Sequence, residues 1–156
     1  MSKMVTELIT TFQIGSDLFG IEVMNVQEVA KQSQIVPVPL APGFVRGLVN
    51  LRGQIATAVG LREMFNHHSD SKNSEEMSVI CKLDGNLVSL IVDSIGDVVE
   101  MEQSKFEPPP HTLPSDIRKY IKGIYKAEGS FLSILDLDRI SRELSPATET
   151  SSRINS

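Results

Sequence analysis

The sequence predicts a mainly β protein made of two small five-stranded barrels packed side by side, with short helices in the connections. Two observations lead there. Alternating apolar segments recur along the chain, separated by glycine-bearing turns, which is the signature of hairpins. The second is an internal repeat. Val45-Arg46-Gly47-Leu48 and Ile121-Lys122-Gly123-Ile124 match 76 residues apart, and the same spacing pairs Gly53 with Gly129, Thr57 with Ser133, Val59 with Leu135 and Leu61 with Leu137. Upstream, Gly20 to Val23 and Val26 to Val29 match Ser89 to Val92 and Ile95 to Val98 at a spacing of 69. The second copy therefore carries a longer connection, which holds Pro108-Pro109-Pro110. A half-chain of this size buries too little apolar surface to be secure alone, so a shared apolar seam is expected.

In chain order, Glu7 to Ile14 reads as a strand, Gly15-Ser16-Asp17 as a turn and Leu18 to Val23 as the returning strand. Met24 to Lys31 suits a short helix, with Val26 and Val29 on one face. Ile35 to Pro39 is an edge or extended segment, because each proline lacks the donor that a central strand needs. A hairpin follows, from Val45 to Leu51 and Gln54 to Val59 about Arg52-Gly53, and Leu61 to Phe65 forms a helical turn. His67 to Glu76 is polar and reads as an exposed connection. Met77 to Leu83 and Leu87 to Val92 flank Asp84-Gly85-Asn86, a strong hairpin signal, and Ile95 to Met101 is a further strand. The triple proline imposes an extended passage. A last hairpin runs from Tyr120 to Leu135, and a helix from Asp136 to Leu144. These elements form one domain over 5–144, with an approximate first barrel at 18–76 and a second at 77–135, leaving room for terminal segments to cross over. Residues 145–156 are rich in Ser and Thr and are expected to be a disordered tail.

Composition narrows the function. The 156 residues carry a net charge of −5 and no basic block, which argues against phosphate-backbone binding and against adhesion to anionic lipid. No apolar run approaches the roughly 20 residues needed to span a bilayer, and no leader-like segment opens the chain. The single cysteine, Cys81, has no internal partner for a disulfide and reads as a small core hydrophobe, so a reducing cytoplasm is the expected location.

No constellation for catalysis emerges. His67 and His68 are adjacent and would point apart, and the neighbouring Asp70, Glu75 and Glu76 lie in a solvated loop, so no metal is expected. His111 has no recognisable nucleophile beside it. Gly43 to Gly47 lacks the ending of a phosphate loop. Asp136 and Asp138 open a helix, where capping explains them. Binding is better represented. Arg52 stands at the first hairpin tip, either as a solvated turn residue or as an interaction residue, and spacing leaves both open. Core packing accounts for Val26 and Val29 more simply than a partner surface does. A groove between two barrels could seat a helix on apolar anchors with charges at its rim. The competing class is a barrel that binds a small ligand or oligosaccharide, which would want aromatic platforms. The chain offers six Phe, two Tyr and no Trp.

From about Leu8 to Leu144 the chain resembles the CheW family of bacterial chemotaxis coupling proteins. The resemblance rests on Phe12 to Gly15, Phe19 to Val23, Val26 to Val29 and, most specifically, Phe44-Val45-Arg46-Gly47-Leu48-Val49-Asn50-Leu51-Arg52-Gly53. Ile91-Val92-Asp93, the triple proline, Tyr120 to Gly123 and Ile134 to Leu137 follow in order. It implies two SH3-like five-stranded barrels, no cofactor and no catalysis. It also implies an adaptor that bridges the cytoplasmic tips of methyl-accepting receptors and the regulatory domain of the CheA histidine kinase, reaching the membrane only through these partners. By matching position it implies receptor-facing roles for Val26, Glu28, Arg52 and Val98. It implies kinase or ring contacts for the segment Phe106 to Thr112, with Phe106, Glu107 and Thr112 named. Two positions depart from the family pattern: where it usually has a Pro and an Asp-Leu-Arg, this chain has Thr57 and Gly60-Leu61-Arg62. The missing carboxylate at Gly60 removes a helix-capping acceptor, and the small Ala56 and Ala58 are expected to loosen the first barrel.

Overall fold

The computed structural model describes residues 4–32, 34–67, 75–127 and 129–144. Among these residues ten strands fall into two five-stranded sheets. In chain order they are β1 (Thr6–Ile14), β2 (Asp17–Glu22), β3 (Val26–Lys31), β4 (Val45–Leu51), β5 (Gln54–Gly60), β6 (Met77–Leu83), β7 (Asn86–Val92), β8 (Ser94–Glu102), β9 (Ile121–Ala127) and β10 (Ser130–Leu135). The helices are short: α1 (Leu61–Met64), α2 (Ser115–Arg118) and α3 (Leu137–Leu144). One sheet has the order β8-β1-β2-β10-β9 and the other β3-β6-β7-β5-β4.

The two orders are one pattern written twice. In each sheet an edge strand pairs with a hairpin (β1-β2 or β6-β7), which runs parallel to the inner strand of a second hairpin (β10-β9 or β5-β4). The sheets do not divide the chain at residue 76, however. The hairpin β1-β2 joins the C-terminal strands, and β6-β7 joins β3, β4 and β5. The contiguous halves expected at 18–76 and 77–135 are therefore interleaved, and each unit depends on a hairpin from the other half of the chain.

The segment Met24 to Lys31 is not a helix. Val23–Asn25 makes a single 3-10 turn, and β3 then pairs with β6 as an edge strand. Six residues with two valines cannot support an isolated helix, whereas β6 offers a ladder. A bulge between Val26 and Glu28 shifts the alternation by one residue. That shift gave the sequence its three-residue spacing of valines and imitated a helical period.

Strand faces divide the core into three. The largest cluster is the shared seam: Phe12, Ile14, Phe19 and Ile21 from one sheet meet Val79, Cys81, Val88 and Leu90 from the other, with Leu61, Phe65 and Tyr120 from the connections. A run of ring contacts crosses it, Phe12–Phe19 at 6.0 Å, Phe19–Phe65 at 5.2 Å and Phe65–Tyr120 at 5.8 Å. The opposite faces enclose smaller clusters, Ile9, Tyr125, Leu132 and Ile134 in one unit and Val49, Ala58 and Ile91 in the other. Ala56 and Ala58 are fully buried. Cys81 is buried in the seam, and burial pushes its thiol up to about 12.

Polar braces lock the seam at its ends. The Asp93 carboxylate, at the crossover from β7 to β8, accepts from the Gly15 N–H at 2.6 Å and from the Arg62 guanidinium. His67 is not solvated as expected: its side chain is 10% exposed and its Nε2 lies 2.8 Å from Asp17 Oδ2. Tyr120 donates to Glu143 of α3 at 2.9 Å. Most of the connection after His67, and the tail at 145–156, lie outside the described residues.

Candidate functional site

The hairpin β4-β5 owes its shape to Asn50-Leu51-Arg52-Gly53. Arg52 and Gly53 both have positive φ, +51° and +89°, as a two-residue hairpin turn of matching twist requires. Asn50 Oδ1 accepts the Gly53 N–H at 2.8 Å and fixes the turn. Arg52 is thereby held in a costly backbone conformation for a non-glycine residue, with its side chain 76% exposed. Its guanidinium donates to the Glu28 carboxylate on β3, and that hydrogen bond raises the guanidinium pKa.

Glu28 is opposite Ile80 on β6, and Val26 is opposite Cys81 and packs on the shared seam. Gln27, Glu28, Leu51, Arg52, Ile80 and Leu87 line a small mouth of about 230 Å³ at this end of the unit. Glu28 and Arg52 therefore belong to one neighbourhood, whereas Val26 faces the seam on the other side of β3. Val29 is opposite Val79 and so shares Val26's face across the bulge, but it is 39% exposed. Val98 lies elsewhere. It is opposite Thr10 on β8, the edge strand of the other sheet, and is 57% exposed. Among the described residues no strand pairing joins β3 to β8.

Phe106, Glu107 and Thr112 follow the 3-10 turn Gln103–Lys105. Glu107 exchanges two backbone hydrogen bonds with Ile124 of β9, at 2.9 and 2.8 Å, and its carboxylate is 3.6 Å from Lys126. The Phe106 ring lies over Gly123 and 5.2 Å from the Tyr125 ring, leaving it 38% exposed. A Cβ on Gly123 would fall 2.1 Å from Phe106 Cζ, so the glycine matched by the repeat is there for close approach. Its counterpart Gly47 serves the first unit alike, with Val36 in place of Glu107. Thr112 is exposed in the turn beyond the prolines.

One feature of this surface escaped the sequence reading. Arg46 forks between two carboxylates, donating to Glu63 at 2.7 and 3.0 Å and to Glu76 at 2.7 and 2.9 Å. The Glu76 hydrogen bonds and then the Glu63 contacts push its pKa up, against an opposing effect of burial. A Cβ on Gly60 would lie 2.4 Å from Glu63 Oε1 and 2.7 Å from Arg46 Nε. The glycine that breaks the family pattern thus makes room for this ion pair. The repeat held a clue: Lys122 occupies the matching position and pairs with Glu22 at 2.9 Å, while Asp136, matching Gly60, caps α3 through the Arg139 N–H at 3.1 Å.

The family model for the CheW-like domain matches residues 9–145. The chain belongs to the CheW-like domain family. A chemotaxis protein CheW of Treponema pallidum is 30% identical over 142 residues, covering 87% of this chain and 84% of that protein. The chemotaxis protein CheW of Thermotoga maritima is 26% identical over 136 residues, covering 87% and 88%. The crystal structure of the scaffolding protein TtCheW from Thermoanaerobacter tengcongensis superposes with a TM-score of 0.78 at 27% identity, covering 86% of this chain and 87% of that one. The CheW-like relatives thus extend over both interleaved units.

Proposed function

We propose that this protein is a non-catalytic adaptor that couples the cytoplasmic tips of methyl-accepting chemotaxis receptors to the regulatory domain of the CheA histidine kinase. The observation that carries the reading is a CheW-like domain spanning nearly the whole chain, with the hairpin Asn50-Leu51-Arg52-Gly53 intact and its arginine presented to solvent. Receptor tips are helical, so Val26 and Val98 would supply apolar contact while Arg52 takes an acidic side chain of the helix. Glu28 already holds that guanidinium, so a receptor carboxylate must compete with it. The Phe106–Thr112 segment, fastened to β9 through Glu107, is the surface assigned to the kinase and to ring contacts. Among the described residues no helix is long and apolar enough to cross a membrane, and the protein joins the membrane array through its partners in the cytoplasm.

Fluorescence anisotropy with a labelled receptor-tip hairpin tests the receptor face. Arg52→Ala is expected to weaken binding about tenfold, in keeping with loss of one charge-assisted contact. Glu28→Gln frees the guanidinium and is expected to tighten binding. Wild-type affinity in Arg52→Ala would remove Arg52 from the interface. The small-ligand alternative has weaker support, since the CheW-like match extends over 9–145.

A further inference from the structure

The repeat gives the two units equivalent clefts with different contents. In the first unit β5 runs parallel to β7 with Thr57 opposite Val88, and in the second β10 runs parallel to β2 with Ser133 opposite Phe19. The spacings of 76 and 69 make these the same pairs, and they also carry Ile55 over to Phe131 and Leu87 to Leu18. Ile55, Thr57, Leu87 and Val88 floor one cleft; Phe131, Ser133, Leu18 and Phe19 floor the other. The walls differ. Helix α3, which leaves β10, crosses to the first unit: Ser141 donates to Asp84 at 2.7 Å, Ser141 and Leu144 line the cleft, and about 280 Å³ is left. Its counterpart α1, which leaves β5, ends after one turn, where Asn66 takes φ of +53°. No described residue of that connection lines the second cleft, and residues 68–74 are all polar. Leu113, Pro114 and Ile117, at the start of α2, close it from the side and leave about 660 Å³. The buried Ser133 hydroxyl lines this space with no hydrogen-bond partner among the described residues.

We infer that the second cleft seats a short amphipathic helix of a partner protein, held as α3 is held in the first unit. α3 supplies the pattern that such a floor accepts: a small hydroxyl residue and a leucine three positions on, Ser141 and Leu144, on one helical face. In the second cleft the leucine rests against Leu18, Ile117 and Phe131, and the small donor reaches Ser133. The rim selects the charge of the partner. Asp17 lines the cleft and is met by His67 at 2.8 Å, and Asp116 is met only by the Asn66 amide at 3.3 Å. The one cation on the rim, Lys126, is already matched by Glu107 at 3.6 Å. The helix that fits therefore carries Lys or Arg beside its apolar face. None of the side chains assigned above to the receptor or the kinase lines this cleft, so its occupant does not compete for them. A contact of one or two helical turns places the binding at the weak end of protein interfaces.

NMR titration of the isotope-labelled full chain with a stapled helical peptide of the α3 sequence, Leu137–Leu144, tests this. Two forms are compared, the native sequence and one with Asp138→Lys and Glu143→Lys. The basic form is expected to bind about tenfold more tightly at low salt, and to lose that advantage at high salt. It should move the amides of Leu18, Ile117, Phe131 and Ser133. Phe131→Ser and Leu113→Ser should each weaken binding at least about tenfold, with urea midpoints confirming that both are folded. Ile55→Ser, at the matching position of the first cleft, should leave the affinity unchanged. Shifts centred on Ile55 and Thr57 would mean that the peptide displaces α3 from its own seat, and would overturn the inference. So would binding indifferent to Phe131→Ser, or no binding at about 1 mM peptide. Tighter binding after removal of 145–156 would make the tail the occupant, and self-association of wild type abolished by Phe131→Ser would make it a second copy; either overturns the assignment to a partner helix.

Discussion

Replacing Gly47 by alanine should damage the first unit far more than the addition of a single methyl group suggests. The residue has φ of +146°, which L side chains rarely adopt, and a Cβ there would sit 2.1 Å from the Val36 carbonyl oxygen and 2.7 Å from Ile35 Cγ2. The nearer obstacle is backbone, so no rotamer change removes it. The chain must either distort β4 or release the 35–44 segment, and release breaks both hydrogen bonds between Val36 and Leu48. Backbone strain of this kind costs about 1–3 kcal/mol. Two backbone hydrogen bonds contribute about 1 kcal/mol each. The expected loss is then about 4 kcal/mol, a large share of the roughly 5–15 kcal/mol that holds a domain of this size together. With a urea m-value near 2 kcal/mol/M the midpoint should fall by about 2 M. Urea unfolding followed by circular dichroism reads this directly. Gly43→Ala is the control, since a Cβ there meets nothing within 4 Å and the position has no positive φ. A Gly47→Ala loss below about 1 kcal/mol, or equal losses in the two variants, would refute the close-approach account.

Three other perturbations probe the same framework. Gly123→Ala meets the movable Phe106 ring first, so its cost should be about 1–2 kcal/mol and should largely vanish in a Phe106→Ala background; additive losses in the double-mutant cycle would contradict the contact. Arg46→Lys keeps the charge but not the fork between Glu63 and Glu76, and should cost about 1–2 kcal/mol at low salt, less at high salt; indifference to salt would count against an ionic role. The Cys81 thiol is raised to about 12 in the fold, against about 8.5 in an unfolded chain, so the unfolded state loses its proton first and stability should fall as pH rises from about 8.5 towards 12. Cys81→Ala should flatten that decline, and a thiol reagent at pH 8 should label wild type only on unfolding; fast native labelling would show that the seam is open.

The hairpins and their turns were legible because they are local. Asp84-Gly85, Arg52-Gly53 and the glycine at position 129 sit where positive φ is needed, and alternation fixed the strands on either side. The repeat also disclosed two equivalent units, since equal spacings need no knowledge of long-range pairing. The exchange of β1-β2 and β6-β7 between units was not legible, because a hairpin that fits either of two repeat-related sheets carries the same local pattern in both. The reading of β3 as a helix failed for a related reason: a bulge is defined by the partner strand, and Val26 and Val29 alone mimic a helical face. At the candidate site, Arg52 was visible from its motif, while the fork of Arg46 depended on Glu63 and Glu76, which are 17 and 30 residues away and meet only in the fold.

Co-sedimentation with receptor-bearing membranes and CheA, comparing wild type with Arg52→Glu, addresses the adaptor role most directly. Arg52 is largely exposed, so the variant is expected to fold while placing a second carboxylate beside Glu28. Wild type should enter the pellet and raise kinase activity, and Arg52→Glu should do neither. Wild type that stays in the supernatant with its own receptors and kinase present would contradict coupling by this protein, whatever the fate of the fold.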